Sequence, residues 1–284
     1  MIEQVAVSGL LMGLIYALVA VGLSLTWGVL DIINFAHGEY LMLSMYTAFW
    51  LYTLFNMDPY LSLPLAALLI FVIGYLNYKI VIKKVIDAPG LTALLATFGL
   101  SLLFRNLAQF FWTPNIRFIS NTVVTDKKIE LGSVVLGMPQ LVAAIGSIIM
   151  VFVIYHFITK TKIGKAIQAT AQDKNTARLM GINTEKIYAL TLAIAGAAAG
   201  IAGSFMSTFY PVYPESGMMY GLLGFVIVAL GGFGNIIGAL YGGIIIGLAE
   251  AFGAYFLGTQ FKYAVVFLIY LVVIQFKPRG LFGW

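Results

Sequence analysis

Cysteine is absent from the 284 residues of this chain. Without a thiol, the chain can form no disulfide framework, no thiolate metal site and no cysteine nucleophile. Charged side chains are also scarce, because Asp, Glu, Lys and Arg together make up 10% of the sequence while 61% is hydrophobic. A typical soluble domain is about 25% charged and about 45–50% apolar. The composition therefore indicates a membrane protein.

Motifs of catalysis and nucleotide binding are missing as well. The sequence contains no H-E-x-x-H, no G-x-S-x-G and no G-x-x-x-x-G-K-[ST], since Gly164-Lys165 is followed by Ala166. The two histidines, His37 and His156, form no metal-ligand cluster with carboxylates apart from the pair His37 and Glu39. We therefore expect no catalytic residue, no metal and no cofactor. Any energy from ATP must come from another chain.

The net charge of +5 has an ordinary explanation in a membrane protein, because basic residues flank membrane spans. We therefore expect no nucleic-acid partner. A membrane-embedded enzyme would need a paired carboxylate, a histidine cluster or a Ser/Lys arrangement facing a cavity, and no convincing arrangement of this kind is present.

Long apolar runs without Asp, Glu, Lys or Arg occupy most of the sequence. A bilayer core of about 30 Å needs about 20 apolar residues per helix, whereas barrel strands would alternate polar and apolar residues. The runs are continuous, so we predict an all-α polytopic transmembrane bundle of about eight or nine membrane segments, forming a single domain over 1–284. The predicted spans are 5–26, 38–55, 61–80, 90–111, 139–159, 186–208, 218–233, 236–254 and 258–276.

Basic residues predict the orientation, because they concentrate in cytoplasmic loops. They gather around Lys79–Lys84, between Lys160 and Lys186, and in the tail at Lys277 and Arg279. Alternating the spans puts these segments on one side, which predicts an outside N-terminus and a cytoplasmic C-terminus. The segment 113–138 is then an outer loop, in which 122–124 could be extended. Arg105 and Lys262 would lie at or beyond the outer ends of spans.

Two connections are too polar for lipid, 31–39 and 230–235. Irregular backbone at membrane depth is tolerated only where protein or a water-filled cavity satisfies its polar groups. Such segments either line a translocation pathway or form a satisfied hydrogen-bond network that braces a broken helix, and the sequence leaves both readings open. Gly38 is expected to permit the bend. The candidate residues are Asn34, His37, Gly38, Glu39, Gly231, Gly232 and Gly234.

Glycine pairs four residues apart recur along the chain. Examples are Gly9 with Gly13, Gly217 with Gly221, and Gly243 with Gly247. Residues four apart share a helix face, and small residues there let two backbones approach closely. The pattern predicts a compact bundle.

The segment 159–186 reads as two short helices. Asp173 is a candidate N-cap for the second helix, Gly181 a candidate left-handed residue after it, and Asn183 or Thr184 a candidate start of the next span. By composition alone the segment could be a solvated amphipathic connector.

Four stretches resemble a known family, the permeases of branched-chain amino-acid ABC importers of the LivH type. These are GLSLTWGVLDIINFAHGE at 22–39, ATAQDKNTARLMGI at 169–182, ALGGFGNIIGA at 229–239 and KPRGLF at 277–282. The N-F-A-H-G-E string is the most specific of them, and the resemblance covers nearly the whole chain.

The resemblance implies a permease subunit of the bacterial inner membrane that works by alternating access. It implies as partners a second related permease, two cytoplasmic ATPase subunits and an extracytoplasmic substrate-binding protein. Branched-chain or other hydrophobic amino acids are the implied substrates, with urea or short-chain amides as the alternative. A short cytoplasmic helix of such permeases docks into the ATPase. In this chain the coupling residues would be Gly164, Ala169, Thr170, Asp173, Ala177, Arg178 and Gly181.

An ion-coupled secondary transporter is the rival class, because it too is polytopic and has interrupted helices. Such a transporter normally needs coupling-ion carboxylates or an inverted repeat. Only Glu250 and the first polar connection offer ionisable groups at depth, which makes ion coupling the weaker reading. Dependence on partner ATPases would separate the two classes.

Overall fold

A computed structural model describes residues 1–120, 122–125 and 127–283, and these are dominated by helices. A π-helical segment, Tyr78–Ile82, joins α3 to α4, and two short strands, β1 (Lys128–Leu131) and β2 (Val134–Gly137), form an antiparallel hairpin. The helices are α1 (Ile2–Leu30), α2 (His37–Phe55), α3 (Pro59–Asn77), α4 (Lys83–Val85), α5 (Gly90–Trp112), α6 (Met138–Lys160), α7 (Lys162–Gln172), α8 (Lys174–Leu179), α9 (Thr184–Met206), α10 (Ser216–Gly231), α11 (Ile236–Leu257) and α12 (Lys262–Phe276).

The prediction of an all-α polytopic bundle is confirmed, and each predicted span overlaps a helix, although 61–80 also covers part of the π-helical segment. Within the described residues, 6 helical stretches are long and apolar enough to cross a membrane, and two further apolar helices, α10 and α12, are shorter. The six stretches are Ile2–Leu30, Pro59–Val85, Gly90–Trp112, Met138–Lys160, Thr184–Met206 and Ile236–Leu257.

Helices α1 and α9 form the centre of the bundle. Helix α1 packs against α6, α9, α10 and α11, and α9 packs against α1, α2 and α3. Both are buried along most of their length, whereas α3, α5, α6 and α12 carry many exposed large apolar side chains. In a bilayer such side chains face lipid tails, so exposed leucines and phenylalanines on outer helices are compatible with the surrounding medium.

Small residues let the central helices approach closely, as their spacing predicts. A Cβ atom added at Gly13 of α1 would lie 2.7 Å from the carbonyl oxygen of Gly243 of α11. One added at Gly9 would lie 2.8 Å from the Cβ of Ala251. These distances are too short for real side chains, so this interface depends on bare backbone.

The outer loop differs from its prediction. Residues 122–124 are not extended: the backbone N–H of Thr125 donates to the carbonyl of Thr122, which closes a turn. The strands lie further on, where Gly132 and Ser133 form a two-residue connection between β1 and β2 and Gly132 has a φ of 62°. A short run without a hydrogen-bonding partner gains little as a strand, whereas the alternating Lys-Ile-Glu-Leu of β1 and the apolar β2 can pair across Gly-Ser.

The segment 159–186 contains two short helices, as predicted. Asp173 caps α8 by accepting from the backbone N–H groups of Asn175 at 2.8 Å and Thr176 at 3.1 Å. Hydrogen bonds from the hydroxyl and then the backbone of Thr176 hold the pKa of Asp173 below its ordinary value. Gly181 has a φ of 83°, and Asn183 caps α9 through the backbone N–H of Lys186. We call Thr161–Gly181 the α7–α8 hairpin.

Candidate functional site

The first polar connection is a re-entrant break between α1 and α2. Asp31 ends α1 with a left-handed backbone, φ 54°, and its N–H donates to the carbonyl of Trp27. The Nε2 atom of His37, the first residue of α2, lies 2.9 Å from the carbonyl oxygen of Val19. Because Val19 precedes Leu30 by eleven residues, α2 begins roughly 16 Å back along α1. The chain therefore folds back beside α1 before its second helix begins.

Side chains satisfy the backbone of this break. The Oδ1 atom of Asn34 accepts from the N–H of Ala36 at 3.2 Å, and the carbonyl of Asn34 accepts from the N–H of His37 at 3.2 Å. The hydroxyl of Thr97, from α5, donates to the carbonyl of Ile33 at 2.8 Å. An irregular segment away from water needs partners of this kind, since each unsatisfied group costs several kcal/mol.

His37 is completely buried and joins α2 to α1. The Val19 carbonyl can only accept, so Nε2 carries the proton and donates. Nδ1 has no hydrogen-bond partner within the described residues. Within the described residues, the imidazole of His37 therefore acts only as a hydrogen-bond donor.

Glu39 forms a buried ion pair with Arg105. The Oε1 atom of Glu39 accepts from Nη2 of Arg105 at 2.7 Å and from the hydroxyl of Ser101 at 2.9 Å. The Glu39 side chain is 1% exposed and that of Arg105 18%. Removing one member of a buried pair typically costs about 3–5 kcal/mol, because the other charge is left without compensation.

The position of Arg105 corrects the sequence-based expectation. Arg105 does not lie at or beyond the outer end of its span, but within α5, with seven further helical residues after it. A guanidinium is tolerated there because a carboxylate from α2 neutralises it. An arginine inside an apolar run was itself the signal that a partner must exist.

Gly38 does not make the bend. It lies in the first turn of α2 with no positive φ, and the left-handed residue at the break is Asp31. A Cβ added at Gly38 would lie 2.9 Å from the Cα of Gly221 and closer still to the carbonyl oxygen of Gly217. Gly38 therefore permits close contact between α2 and α10, and any side chain would push the two helices apart.

The second polar connection lies at the other end of α10. Gly232 and Gly234 have left-handed φ values of 103° and 76°, and Asn235 caps α11 through the N–H of Gly238 at 2.9 Å. A Cβ at Gly28 of α1 would lie 2.7 Å from the Cα of Gly234, and Gly231 packs against Gly238. Gly217, which lies beside Gly38, and Gly231 are separated by roughly 21 Å along α10. The candidate residues of the first polar connection therefore do not meet those of the second.

Two cavities lie where α1 ends, beside the α7–α8 hairpin. One has a volume of about 570 Å³ and is lined in part by Trp27, Asp31, Ala93 and Thr170. The other has a volume of about 730 Å³ and includes Ser24, Gly234 and Gln168. Asn34, His37 and Glu39 line neither cavity.

The predicted coupling residues divide into inner and outer sets. Gly164, Thr170 and Ala177 are buried and Ala169 is half-buried. Asp173, Arg178 and Gly181 are exposed, and Nε of Arg178 donates to the hydroxyl of Thr184 at 2.8 Å. The strongly exposed apolar groups of this hairpin were not predicted: Leu179 is 87% and Met180 78% exposed at the end of α8.

A second ion pair joins α11 to α12. Nζ of Lys262 lies 2.5 Å from Oε1 of Glu250, and Nζ also lies 4.5 Å from the centre of the Tyr263 ring. Glu250 therefore holds α12 against α11.

Comparison with known proteins places the chain among transport permeases. A family model described as the permease component of branched-chain amino acid transport systems matches residues 5–274. The high-affinity branched-chain amino acid permease BraD of Pseudomonas aeruginosa is 32% identical, covering 99% of this chain and 95% of that protein. LivH of Escherichia coli is 30% identical, covering 97% and 94%. The probable LivH of Methanocaldococcus jannaschii is 30% identical, covering 91% and 82%. No solved structure matches the chain significantly.

The donor at His37 gives a testable prediction. We expect His37→Gln to assemble and function better than His37→Leu, because a glutamine amide can still donate to Val19 whereas leucine removes the donor from a buried site. The amount of folded protein and its unfolding temperature in detergent measure the difference. The loss for His37→Leu should correspond to about 1–3 kcal/mol. Equal stability of His37→Leu and the parent would show that this contact does not brace the break.

Proposed function

Because the chain belongs to the permease family of branched-chain amino acid transport systems, we propose that it is the membrane permease subunit of an ABC importer for branched-chain or other hydrophobic amino acids. The observation that carries this proposal is the family match along 5–274 together with near full-length relatives that share one named transport role. A bundle of apolar helices with a break beside the middle of α1 is compatible with a transport pathway.

Urea or short-chain amides are the alternative substrates, and an ion-coupled transporter is the alternative class. Against ion coupling, each of the two buried acids in the described part of the membrane helices is paired with a base, Glu39 with Arg105 and Glu250 with Lys262. A carboxylate already neutralised by a base offers no net negative charge to a coupling cation, and such a cation brings no anion for the base that it would displace. We therefore favour a permease driven by separate ATPase subunits.

We further propose that the break residues brace the bundle. Asn34, His37 and Glu39 are all buried and their contacts join α2 to α1 and α5. Gly38 permits contact with α10. Gly231, Gly232 and Gly234 allow the connection after α10 to pass beside α1. In this proposal these contacts hold the discontinuous helices in place while no solute is bound.

The α7–α8 hairpin is the proposed docking element for an ATPase. Gly164, Thr170 and Ala177 pack inside it, so they would set its shape rather than touch a partner. Leu179 and Met180 project from its end, with Asp173, Arg178 and Gly181 exposed nearby. Exposed apolar side chains outside the membrane mark contact sites. The hairpin also borders both cavities at the end of α1, so its displacement would reach Gly28 and Val29 and support alternating access.

The proposed partners are a second related permease, two cytoplasmic ATPase subunits and an extracytoplasmic binding protein, in a bacterial cytoplasmic membrane. The proposed orientation has the N-terminus outside and the C-terminus inside, because the α7–α8 hairpin and the segment containing Lys83 and Lys84 carry basic residues. Lys174 pairs with Asp87 and Lys83 with Glu185, so these segments lie together.

The function is tested by reconstitution of the chain with its ATPases, second permease and binding protein in vesicles. We expect ATP-dependent uptake of radiolabelled leucine, isoleucine or valine, and no uptake by vesicles that contain this chain alone. Urea and acetamide serve as competing solutes. Uptake by the chain alone, driven by an ion gradient, would support the secondary transporter instead.

Docking makes a second prediction. Leu179→Asp should abolish most of the stimulation of ATP hydrolysis by loaded binding protein, because the new charge lies on the exposed end of the hairpin. Val123→Asp is the matched control, since Val123 is 70% exposed on the 113–138 loop. Copurification of the ATPases is measured alongside. Normal assembly and stimulation in Leu179→Asp would contradict the docking role.

Orientation makes a third prediction. Because the parent contains no cysteine, single replacements Val123→Cys and Lys174→Cys can be labelled without background from this chain. An impermeant thiol reagent applied to intact cells should modify Val123→Cys and leave Lys174→Cys unmodified until the membrane is opened. The opposite pattern would reverse the proposed orientation.

A further inference from the structure

Helix α5 has one polar face, formed by Thr97, Ser101, Arg105 and Gln109. These residues recur every four positions, so they lie along one side of the helix. Large apolar side chains such as Leu95 and Leu103 are exposed elsewhere on α5. We call the four residues the polar face of α5.

Each residue of the polar face donates to a group at a helix break. Thr97 donates to the carbonyl of Ile33, and both Ser101 and Arg105 donate to Oε1 of Glu39. Nε2 of Gln109 donates to Oε1 of Glu215 at 2.7 Å, directly before α10 begins. Membrane helices usually associate through close packing of small residues, whereas α5 faces its neighbours with a continuous row of donors.

The polar face begins about one helical turn from the cavity at the end of α1. Ala93 lies four residues before Thr97 on the same side of α5, and it lines the cavity of about 570 Å³ together with Asp31 and Ile32. From Thr97 to Gln109 the polar face extends about 18 Å, which is more than half the thickness of a bilayer core. The polar face thus starts near this cavity and crosses more than half of the membrane.

The ion pair of Glu39 with Arg105 on the polar face of α5 has unused hydrogen-bonding capacity. Oε2 of Glu39, Nε of Arg105 and the hydroxyl of Ser216 are buried and have no hydrogen-bond partner within the described residues. Oε2 of Glu39 lies 3.0 Å from the position that a Cβ of Gly217 would occupy, so it faces the first turn of α10. A buried ion pair is stable only when its remaining lone pairs and protons are also satisfied. This pair can therefore accept further polar partners.

We propose that the polar face of α5 forms a wall of the solute route, and that Glu39 and Arg105 hold a zwitterionic amino acid midway along it. The ammonium of the solute binds Glu39 and its carboxylate binds Arg105. A zwitterion carries both charges, so it replaces the contact between Glu39 and Arg105 without leaving either charge unpaired. This assignment rests on the function proposed above and names the residues that select a zwitterion.

The charge pair is tested with the double variant Glu39→Gln/Arg105→Gln in the reconstituted importer. Removing both charges leaves no unpaired ion, so the amount of assembled complex should match that of the parent. Leucine uptake should fall at least about tenfold, because two hydrogen bonds to charged groups are lost. The matched control is Glu250→Gln/Lys262→Gln, which removes the other ion pair and should keep uptake within about twofold, a change below 1 kcal/mol.

A second measurement does not depend on these variants. Ser101→Cys changes one atom on the polar face, and Leu103→Cys places a thiol where the side chain is 50% exposed on the other side of α5. A hydrophilic methanethiosulfonate reagent reacts only where water reaches the thiol. We expect Ser101→Cys to react, with a rate that ATP changes and leucine lowers, and Leu103→Cys to remain unmodified.

The outcomes separate the two proposals. If the parent importer takes up no branched-chain amino acid, the proposed function fails and the zwitterion site fails with it, while labelling of Ser101→Cys still decides whether the polar face is a wetted route. If the parent transports leucine and Glu39→Gln/Arg105→Gln does so within twofold, the pair is only structural. If that variant does not assemble, an unreactive Ser101→Cys in all nucleotide states overturns the proposal, and leucine-protected labelling supports it.

Discussion

The bundle depends on one constraint, that polar backbone and charge inside a membrane must find partners within the protein. The break between α1 and α2 meets this requirement with partners from α1 and α5. Val19 of α1 accepts from His37, Thr97 of α5 donates to Ile33, and Arg105 of α5 neutralises Glu39. Because these partners belong to different helices, the break can exist only when α1, α2 and α5 are already together.

Close contact between backbones is the complementary requirement. Helix α2 approaches α10 closely at Gly38, and α1 contacts α11 through Gly13 and Gly243. A side chain at Gly38 or Gly13 would push its helix away from the neighbouring one, because the added Cβ would lie too close to the neighbour's backbone. The glycines therefore hold α10 and α11 against the two helices that the break joins.

The same architecture connects the ends of the molecule. The α7–α8 hairpin borders the cavities at the end of α1. One of these cavities reaches Ala93, one turn before the polar face of α5. Helix α5 contacts α2 and the segments 78–82 and 83–85, and it is less buried than α1 or α9. A peripheral helix that is held mainly by hydrogen bonds can shift with less loss of packing than a central helix, because few of its apolar side chains interdigitate with neighbours.

The sequence by itself determined the helices, their approximate bounds and the caps of the α7–α8 hairpin. Apolar run length and capping residues are local properties, and the resemblance carried by 22–39 pointed to the family that the comparisons show. Only the tertiary structure decided that Arg105 pairs with Glu39, that Gly38 serves packing rather than bending, and that Ala177 is inside the hairpin while Leu179 is outside it. Each of these depends on which helix faces which, and residues 66 positions apart, such as Glu39 and Arg105, leave no local pattern of their contact.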